Sequence, residues 1–260
     1  MLPQAELDRV VYEIETLGFS VVEGVTNPAL TKRLREGLLA AIERDQAEWG
    51  HRPQKSYDLI HNLILHGGPF LEMLDHAVMH QVFGAFLGPT AILYNYGSTF
   101  LLPGGNPGSR RIHVDTPRLI PNYHSGLIMT LALDDFTEEN GATLYLPGSQ
   151  TMSQPPSEEM MERLGVSVAR GAGAAVFFNP RCFHRASPNN TETIRCGLTI
   201  FAVRAFMKQR FDFPRMITPE MLETLSPKAR QFLGFDARVP AHMGEFFVDE
   251  PDRLYKANQG

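Results

Sequence analysis

Residues 174–184 read AAVFFNPRCFH, and after the turn-forming run PNN (188–190) the chain continues into RCGLTIFA from Arg195. The five apolar residues at the start are typical of a buried strand, and the Asn-Pro pair ends it. The run from Arg195 predicts a second strand directly after the turn. Strand, short turn and strand in this order favour a sandwich, barrel or jelly roll over repeated βαβ units. This stretch therefore predicts a β core.

The same texture extends over residues 90–206, where short β-rich runs alternate with Gly, Pro and Asn clusters. The predicted strands are 91–102, 111–115, 127–133, 143–146, 174–178 and 195–206. The fold class expected from this pattern is mainly β with flanking α-helices, built on a double-stranded β-helix (a jelly roll, cupin-like core).

Helices are predicted on either side of this core. Apolar residues recur at helical spacing from Leu7 to Leu17, and Gly18 follows as a stop signal. A short strand over 19–25 leads to Asn27 and Pro28, which are typical of the first residues of a helix. Further helical patterns cover about 69–87 and 219–225.

No repeat or linker divides the sequence, which indicates one domain over residues 1–260. We expect a helical N-terminal part over about 1–89, a jelly-roll core over about 90–206 and a helical or irregular extension over 207–260.

Composition excludes several classes of protein. Hydrophobic residues make up 43% and charged residues 20% of the chain, which argues against disorder and against a membrane protein. The net charge is −5 and no Lys/Arg-rich block occurs, so nucleic acid is not expected as a partner. Two cysteines and an N-terminus without a secretory pattern favour a cytoplasmic protein.

His113-Val114-Asp115 is the first candidate for a metal site. Residues i and i+2 of a strand point to the same face, so an imidazole and a carboxylate can bind one ion. The pattern is weak alone, because 9 His and 29 acidic residues in 260 give about one such pair by chance. In a jelly roll, distant strands lie side by side, and His184 can then complete a His, Asp, His face. The competing interpretation is a polar surface strand.

Arg195 lies eleven residues after His184. A strand, a turn and a second strand between them would bring its guanidinium to the same cavity, where a planar fork of donors suits a carboxylate. Gly197 and Thr199 share its face, and their small side chains would leave room for a ligand. The alternate residues, expected to pack away from the cavity, are Cys196, Leu198 and Ile200.

Three ordered motifs together resemble one enzyme family. They are HVD at 113–115, DDFTEENGATLYLPGS at 134–149, and FFNP at 177–180 followed by His184 and Arg195. The sequence is similar in these respects to the phytanoyl-CoA dioxygenase family of Fe(II)/2-oxoglutarate oxygenases. Within the second motif, Asn-Gly and Pro-Gly pairs are better explained as turns than as catalytic residues.

The resemblance covers about residues 18–204 and carries a chemistry with it. It implies that His113, Asp115 and His184 bind Fe(II), that Arg195 binds the distal carboxylate of 2-oxoglutarate, and that O2 is the oxidant. It implies oxidation of a C–H bond, with hydroxylation first and desaturation, cyclisation or epoxidation as variants. The carboxylate of Asp115 disfavours halogenation, since related halogenases replace it with a small residue.

Two further residues are candidates for cofactor contacts. Thr199 lies on the face of Arg195, and Arg110 directly precedes the metal motif, where it could bind the second carboxylate of 2-oxoglutarate or an anionic substrate. The alternative for Arg110 is simple solvent exposure.

The expected substrate is a small molecule, amphipathic or carboxylate-bearing. Tyr94, Tyr96 and Phe100 are predicted on one face of a strand, and a loop at 116–125 follows the metal motif. Both could line a substrate pocket, although core packing explains the aromatic residues equally well. Other classes kept open are a cupin-type metalloenzyme that does not use 2-oxoglutarate and a non-catalytic jelly-roll binding protein.

Overall fold

The computed structural model describes residues 1–50, 59–104 and 110–259. The strands within these ranges are β1 (Phe19–Val22), β2 (Ile92–Leu101), β3 (Gly126–Ala132), β4 (Leu144–Tyr145), β5 (Val166–Ser167), β6 (Ala175–Phe178), β7 (His184–Arg185) and β8 (Arg195–Val203). The helices are α1 (Gln4–Leu17), α2 (Pro28–Trp49), α3 (Pro69–Glu72), α4 (Ala77–Leu87), α5 (Glu158–Leu164), α6 (Phe213–Met216), α7 (Pro219–Thr224), α8 (Pro227–Phe232) and α9 (Met243–Phe246). Short 3-10 turns occur at Leu63–His66, Met73–Asp75, Ser149–Thr151 and Glu250–Asp252.

The strands form two antiparallel sheets. The larger has the order β1-β6-β3-β8-β2, and the smaller has the order β5-β4-β7. Neighbours in the larger sheet are not consecutive strands, as the jelly-roll prediction requires. The expected β core with flanking helices is therefore confirmed. Among the described helices, none is both long enough and apolar enough to cross a membrane.

One face of the larger sheet packs against the helices. Cys196, Leu198 and Ile200 of β8 are fully buried there, in one apolar cluster with residues of α1, α2, α4 and α8. This is the alternation predicted for β8. Each fully buried Leu or Ile contributes about 1.5–3 kcal/mol relative to an exposed one, so the register of β8 is strongly fixed.

The opposite face of the larger sheet, called here the inner face, packs against the smaller sheet. The ring of Tyr145 on β4 lies 5.0 Å from that of Phe19 on β1 and 5.2 Å from that of Phe178 on β6. Arg195 and Thr199 of β8 are placed on this face by the same alternation. The inner face therefore carries the residues on which the predicted chemistry depends.

The predicted helix boundaries near the N-terminus are confirmed. Helix α1 ends at Leu17, and the next residue, Gly18, adopts the left-handed conformation with φ 90°. Asn27 caps α2 by accepting a hydrogen bond of 2.9 Å from the backbone N–H of Leu30, and Pro28 is the first helical residue.

The predicted helix over 69–87 is wrong in its continuity. The structure has α3, a 3-10 turn, an extended His76 and then α4. The break lets Phe70, Leu74 and Met79 all enter the same core, although they do not share one helical face. Tertiary packing has here overridden the helical propensity of the segment.

The expected common face for Tyr94, Tyr96 and Phe100 is also wrong. The register of β2 shifts between Leu93 and Asn95, so one extra residue enters the strand at Tyr94. A bulge of this kind reverses the facing of the residues beyond it. Tyr96 and Phe100 consequently lie in the helix-side core, while the ring of Tyr94 packs 4.8 Å from that of Phe201.

We predict that Gly18→Ala destabilises the protein by at least about 1–2 kcal/mol, the cost of a left-handed conformation for a residue with a Cβ atom. The added Cβ would also lie 2.6 Å from Oε1 of Gln150 and 3.0 Å from Sγ of Cys182. Gly84→Ala is the matched control, because its Cβ would meet nothing within 4 Å inside α4. We expect that variant to gain about 0.5–1 kcal/mol. Urea unfolding of both variants measures the difference, and equal stabilities would contradict it.

Candidate metal centre

Three side chains converge beside β7, at the edge of the smaller sheet. His113, Asp115 and His184 each offer a ligand atom, and these atoms all lie within 4.8 Å of one another. Nε2 of His113 is 3.9 Å from Oδ1 of Asp115, and Nε2 of His184 is 3.6 Å from Oδ2. The structure thus brings together the three residues that the sequence analysis named as metal ligands.

Backbone hydrogen bonds hold the two halves of this centre together. His113 and His184 exchange both of their N–H···O bonds, each 3.0 Å long. The backbone N–H groups of Asp115 and Thr116 then both donate to the carbonyl of Pro180, at 2.8 and 3.1 Å. The strand predicted over 111–115 is therefore reduced to a single bridge at His113, because the chain beyond it bonds to the turn after β6.

The imidazole rings are oriented by their own backbone. Nδ1 of His113 lies 2.9 Å from the carbonyl oxygen of Arg111, and Nδ1 of His184 lies 3.0 Å from that of Cys182. A carbonyl only accepts, so each Nδ1 carries the proton. In the neutral form of each ring, Nε2 then keeps its lone pair on the side of Asp115, which is the arrangement that orients metal-binding histidines.

Burial differs across the centre. His184 is buried, which lowers its pKa, while the nearby carboxylate of Asp115 acts in the opposite direction. The side chains of His113 and Asp115 remain about one-third exposed, at 34% and 33%. The centre is thus closed behind His184 and open to solvent on the side of His113 and Asp115.

The donor set fits Fe(II). Two neutral imidazole nitrogens and one carboxylate oxygen on one side of a site form the facial triad of non-haem Fe(II) oxygenases, which leaves further coordination positions free. These atoms come from two separate segments of the chain.

Arg195 lies on the inner face and is 3% exposed. Its Nη1 donates to the carbonyl of Gly141, and its guanidinium carbon lies 4.2 Å from the centre of the Phe136 ring. A Cβ atom at Gly197 would lie 2.8 Å from Cζ of Phe136. Gly197 therefore makes room for Phe136, and the expectation that it leaves space for a ligand is wrong.

The two weaker candidates have different positions. Thr199 is half-buried on the inner face and lies opposite Thr130 of β3. Arg110 is exposed.

The 134–149 segment shows the turn structure predicted for it. Asn140 accepts a hydrogen bond from the N–H of Thr137 and donates one to the carbonyl of Asp135. Asp134 has a structural role as well, because its carboxylate accepts from Nε of Arg35 at 2.5 Å and from the N–H of Cys196 at 2.8 Å. Asp134 therefore joins α2 to the start of β8.

Sequence reasoning assigned no role to Phe136, although this residue lies within the 134–149 motif, and it missed Arg170. Arg170 is 5% exposed, and its guanidinium carbon lies 4.2 Å from the same Phe136 ring that Arg195 contacts. Neither residue belongs to a spacing pattern that would have indicated it. They meet because the backbones of Phe136 and Arg170 form an isolated bridge between two loops.

Comparison with known families agrees with the geometry. The family model described as phytanoyl-CoA dioxygenase matches residues 14–197, well over half of the chain. The chain belongs to the phytanoyl-CoA dioxygenase family. It is accordingly an Fe(II)- and 2-oxoglutarate-dependent dioxygenase that uses O2 and acts on a small molecule. This decides against a cupin-type metalloenzyme without 2-oxoglutarate and against a non-catalytic binding protein.

Curated relatives of this phytanoyl-CoA dioxygenase family member include bacterial and fungal proteins. An uncharacterized protein of Mycobacterium tuberculosis is 28% identical, with 98% of this chain and 96% of that protein covered. The dioxygenase sphC of Aspergillus fumigatus is 24% identical, with 90% of this chain and 69% of that enzyme covered.

Solved structures share the fold. The epimerase SnoN from nogalamycin biosynthesis, a non-heme alpha-ketoglutarate dependent enzyme, has a TM-score of 0.62 at 18% identity. The match covers 78% of this chain and 85% of SnoN. The nickel complex of the non-heme monooxygenase ThoJ has a TM-score of 0.63 at 17% identity and covers 78% and 80%. The predicted jelly-roll class is confirmed by these likenesses.

We predict that His113→Ala, Asp115→Ala and His184→Ala each lower the affinity for Fe(II) by more than about 100-fold. Removal of a direct ligand should exceed the roughly 10- to 100-fold loss seen when a group that only orients a ligand is removed. His242→Ala is the control, because that side chain is 68% exposed and lies at the N-terminus of α9. Anaerobic titration calorimetry with Fe(II) measures the effect. Wild-type affinity in any of the three variants would remove that residue from the ligand set.

Proposed function

We propose that His113, Asp115 and His184 hold Fe(II) and that Arg195 binds the distal carboxylate of 2-oxoglutarate, so that the enzyme hydroxylates a C–H bond of a small molecule. The observation that carries this proposal is the triad itself, with three ligand atoms within 4.8 Å and two imidazole lone pairs directed at the carboxylate. When bound, Fe(II) together with 2-oxoglutarate and O2 supplies the oxidising power for the C–H bond.

The protein's own residues bind and orient. Each neutral imidazole donates an electron pair to the metal without adding charge, and Asp115 contributes one negative charge that partly balances the charge of the metal. Arg195 supplies a positive charge on the inner face, in surroundings from which water is excluded. Thr199 of β8 and Thr130 of β3 lie opposite each other on the inner face. Their hydroxyl groups are proposed as contacts for the keto acid.

The substrate is proposed to enter from the open side of the centre. The 116–125 loop follows Asp115 directly and exposes Arg118, Leu119, Ile120 and Tyr123. A surface with a cation beside apolar and aromatic groups suits an amphipathic molecule with a ring or a carboxylate. Arg110, also exposed and next to the metal motif, is proposed as a second cation for that carboxylate.

Hydroxylation is proposed ahead of desaturation, cyclisation or epoxidation, in line with the reaction that the family resemblance implies first. Specialised metabolism is proposed as the setting, because a fold neighbour belongs to nogalamycin biosynthesis. Residues 1–260 are proposed to act as one domain, since Val10, Leu131 and Phe232 lie in one apolar cluster.

The first experiment needs no substrate. We expect the anaerobic Fe(II)-loaded protein to develop a visible metal-to-ligand charge-transfer band when 2-oxoglutarate is added, and His113→Ala and Asp115→Ala to abolish it. His242→Ala should retain the band. A protein that binds stoichiometric Fe(II) but shows no band with 2-oxoglutarate would contradict the proposed function.

The second experiment tests Arg195. Arg195→Ala should weaken 2-oxoglutarate binding by roughly 10- to 100-fold, the loss expected for a hydrogen bond to a charged group, while Fe(II) affinity stays near the wild-type value. Arg238→Ala is the control, because Arg238 contacts the ring of Phe235 in the C-terminal extension. Unchanged 2-oxoglutarate affinity in Arg195→Ala would remove this residue from the site.

A further inference from the structure

Two buried arginines share one aromatic ring on the inner face. The guanidinium carbons of Arg170 and Arg195 each lie 4.2 Å from the centre of the Phe136 ring, so they are no more than twice that distance apart. The residues are 5% and 3% exposed. Two cations held this close in a dry environment repel each other, and the face of one ring offsets only part of that cost.

The backbone explains why Arg170 points to this place. Phe136 and Arg170 exchange N–H···O bonds of 2.8 and 2.9 Å, which places their side chains on the same side of the bridge. The Phe136 ring reaches Gly197 of β8, on the inner face. Arg170 is thereby directed to the face that also carries Arg195.

Within the described residues, the guanidinium of Arg170 is poorly satisfied. Its Nη1 donates to the carbonyl of Val168 at 3.1 Å, whereas its Nε and Nη2 have no partner there. Nε of Arg195 is likewise unpaired within the described part of the chain. Buried donors on a charged group are costly to leave unpaired, and they mark a place for an acceptor.

Two carboxylates, those of Glu23 and Asp134, act electrostatically on this pair. The carboxylate of Asp134 is already engaged, because it accepts hydrogen bonds from Arg35 and from the N–H of Cys196. The charge of Glu23 has the smallest of the three effects on the pKa of Arg170. Burial lowers the pKa of each arginine to about 10, and for Arg195 the charge of Arg170 adds to that effect. An anion from outside the chain would relieve both the desolvation and the repulsion.

Contacts connect Arg170 to the metal centre. Its Nη1 donates to the carbonyl of Val168, which lies in one apolar cluster with Tyr145, and the ring of Tyr145 is stacked 5.5 Å from the ring of His184. A ligand with one end at His184 and the other at Phe136 would therefore reach from the triad to the two arginines. A dianion with carboxylates at both ends has this form.

Resting on the proposed function, we propose that Arg170 is a second guanidinium for 2-oxoglutarate, which binds the distal carboxylate together with Arg195. A carboxylate has two oxygens and about four acceptor positions, enough for one fork of donors on each side. Arg170 is then a specificity-determining residue that selects keto acids carrying a distal carboxylate over those without one.

The test compares two keto acids on the Mn(II)-loaded protein by anaerobic titration calorimetry. One is 2-oxoglutarate, and the other is 2-oxopentanoate, in which a methyl group replaces the distal carboxylate. Arg170→Met should weaken 2-oxoglutarate binding by about 10- to 100-fold and leave 2-oxopentanoate binding within about twofold. Arg204→Met is the matched control, since Arg204 also lies over a ring, 4.7 Å from Tyr123, and donates to backbone carbonyls.

Three outcomes would overturn the inference. Equal losses for both keto acids in Arg170→Met would show a role in folding the site, and no loss would show that Arg170 does not contact the ligand. If the wild type binds Mn(II) but neither keto acid, the proposed function itself fails, and this inference fails with it.

A second variant covers the case in which Arg170→Met does not fold. Arg170→Lys keeps the charge but loses the planar fork, so it should lose part of its affinity for 2-oxoglutarate and none for 2-oxopentanoate. Wild-type affinity for 2-oxoglutarate in this folded variant would also contradict paired donation from Arg170. Thermal shifts with and without each keto acid report folding and binding independently of turnover.

Discussion

The pair of backbone hydrogen bonds between His113 and His184 is the constraint on which the site depends. The segment around His113 has no other strand partner among the described residues, so this bridge and the two bonds to Pro180 place both His113 and Asp115. Arg181 adds a further tie, because its Nη1 donates to the carbonyl of Pro117 at 3.2 Å. The triad is therefore built by the turn after β6, and its geometry follows from the position of that strand in the larger sheet.

Local chemistry made much of this predictable. The alternation in β8 and the cap at Asn27 each depend on a few neighbouring residues, and both appear in the structure as expected. His113 and Asp115 also come together, although the strand predicted around them is reduced to one bridge. The failures depend on distant contacts. The bulge at Tyr94, the room that Gly197 makes for Phe136, and the break before α4 are decided by packing partners that no local pattern contains. Arg170 escaped notice for the same reason.

Charge is distributed between the two sheets in a way that matches the co-substrate. One end holds the carboxylate of Asp115 and two imidazoles, which suit a divalent cation, and the other holds two buried guanidinium groups around Phe136. A keto acid with a carboxylate at each end can satisfy the metal at one end and the arginines at the other. Binding such a dianion would replace an uncompensated pair of like charges by an ion-paired cluster, so the co-substrate should rigidify the centre of the fold as well as complete the metal site.

Burial divides the proposed site into a closed part for the co-substrate and an open part for the substrate. The arginines and His184 are buried in the framework between the two sheets, where a change of side chain disturbs packing on several sides. His113 and Asp115 face outward next to the 116–125 loop, whose exposed side chains can change without disturbing the sheets. Under the proposed function, substrate specificity is therefore sought in exposed loop residues such as Arg118 and Tyr123.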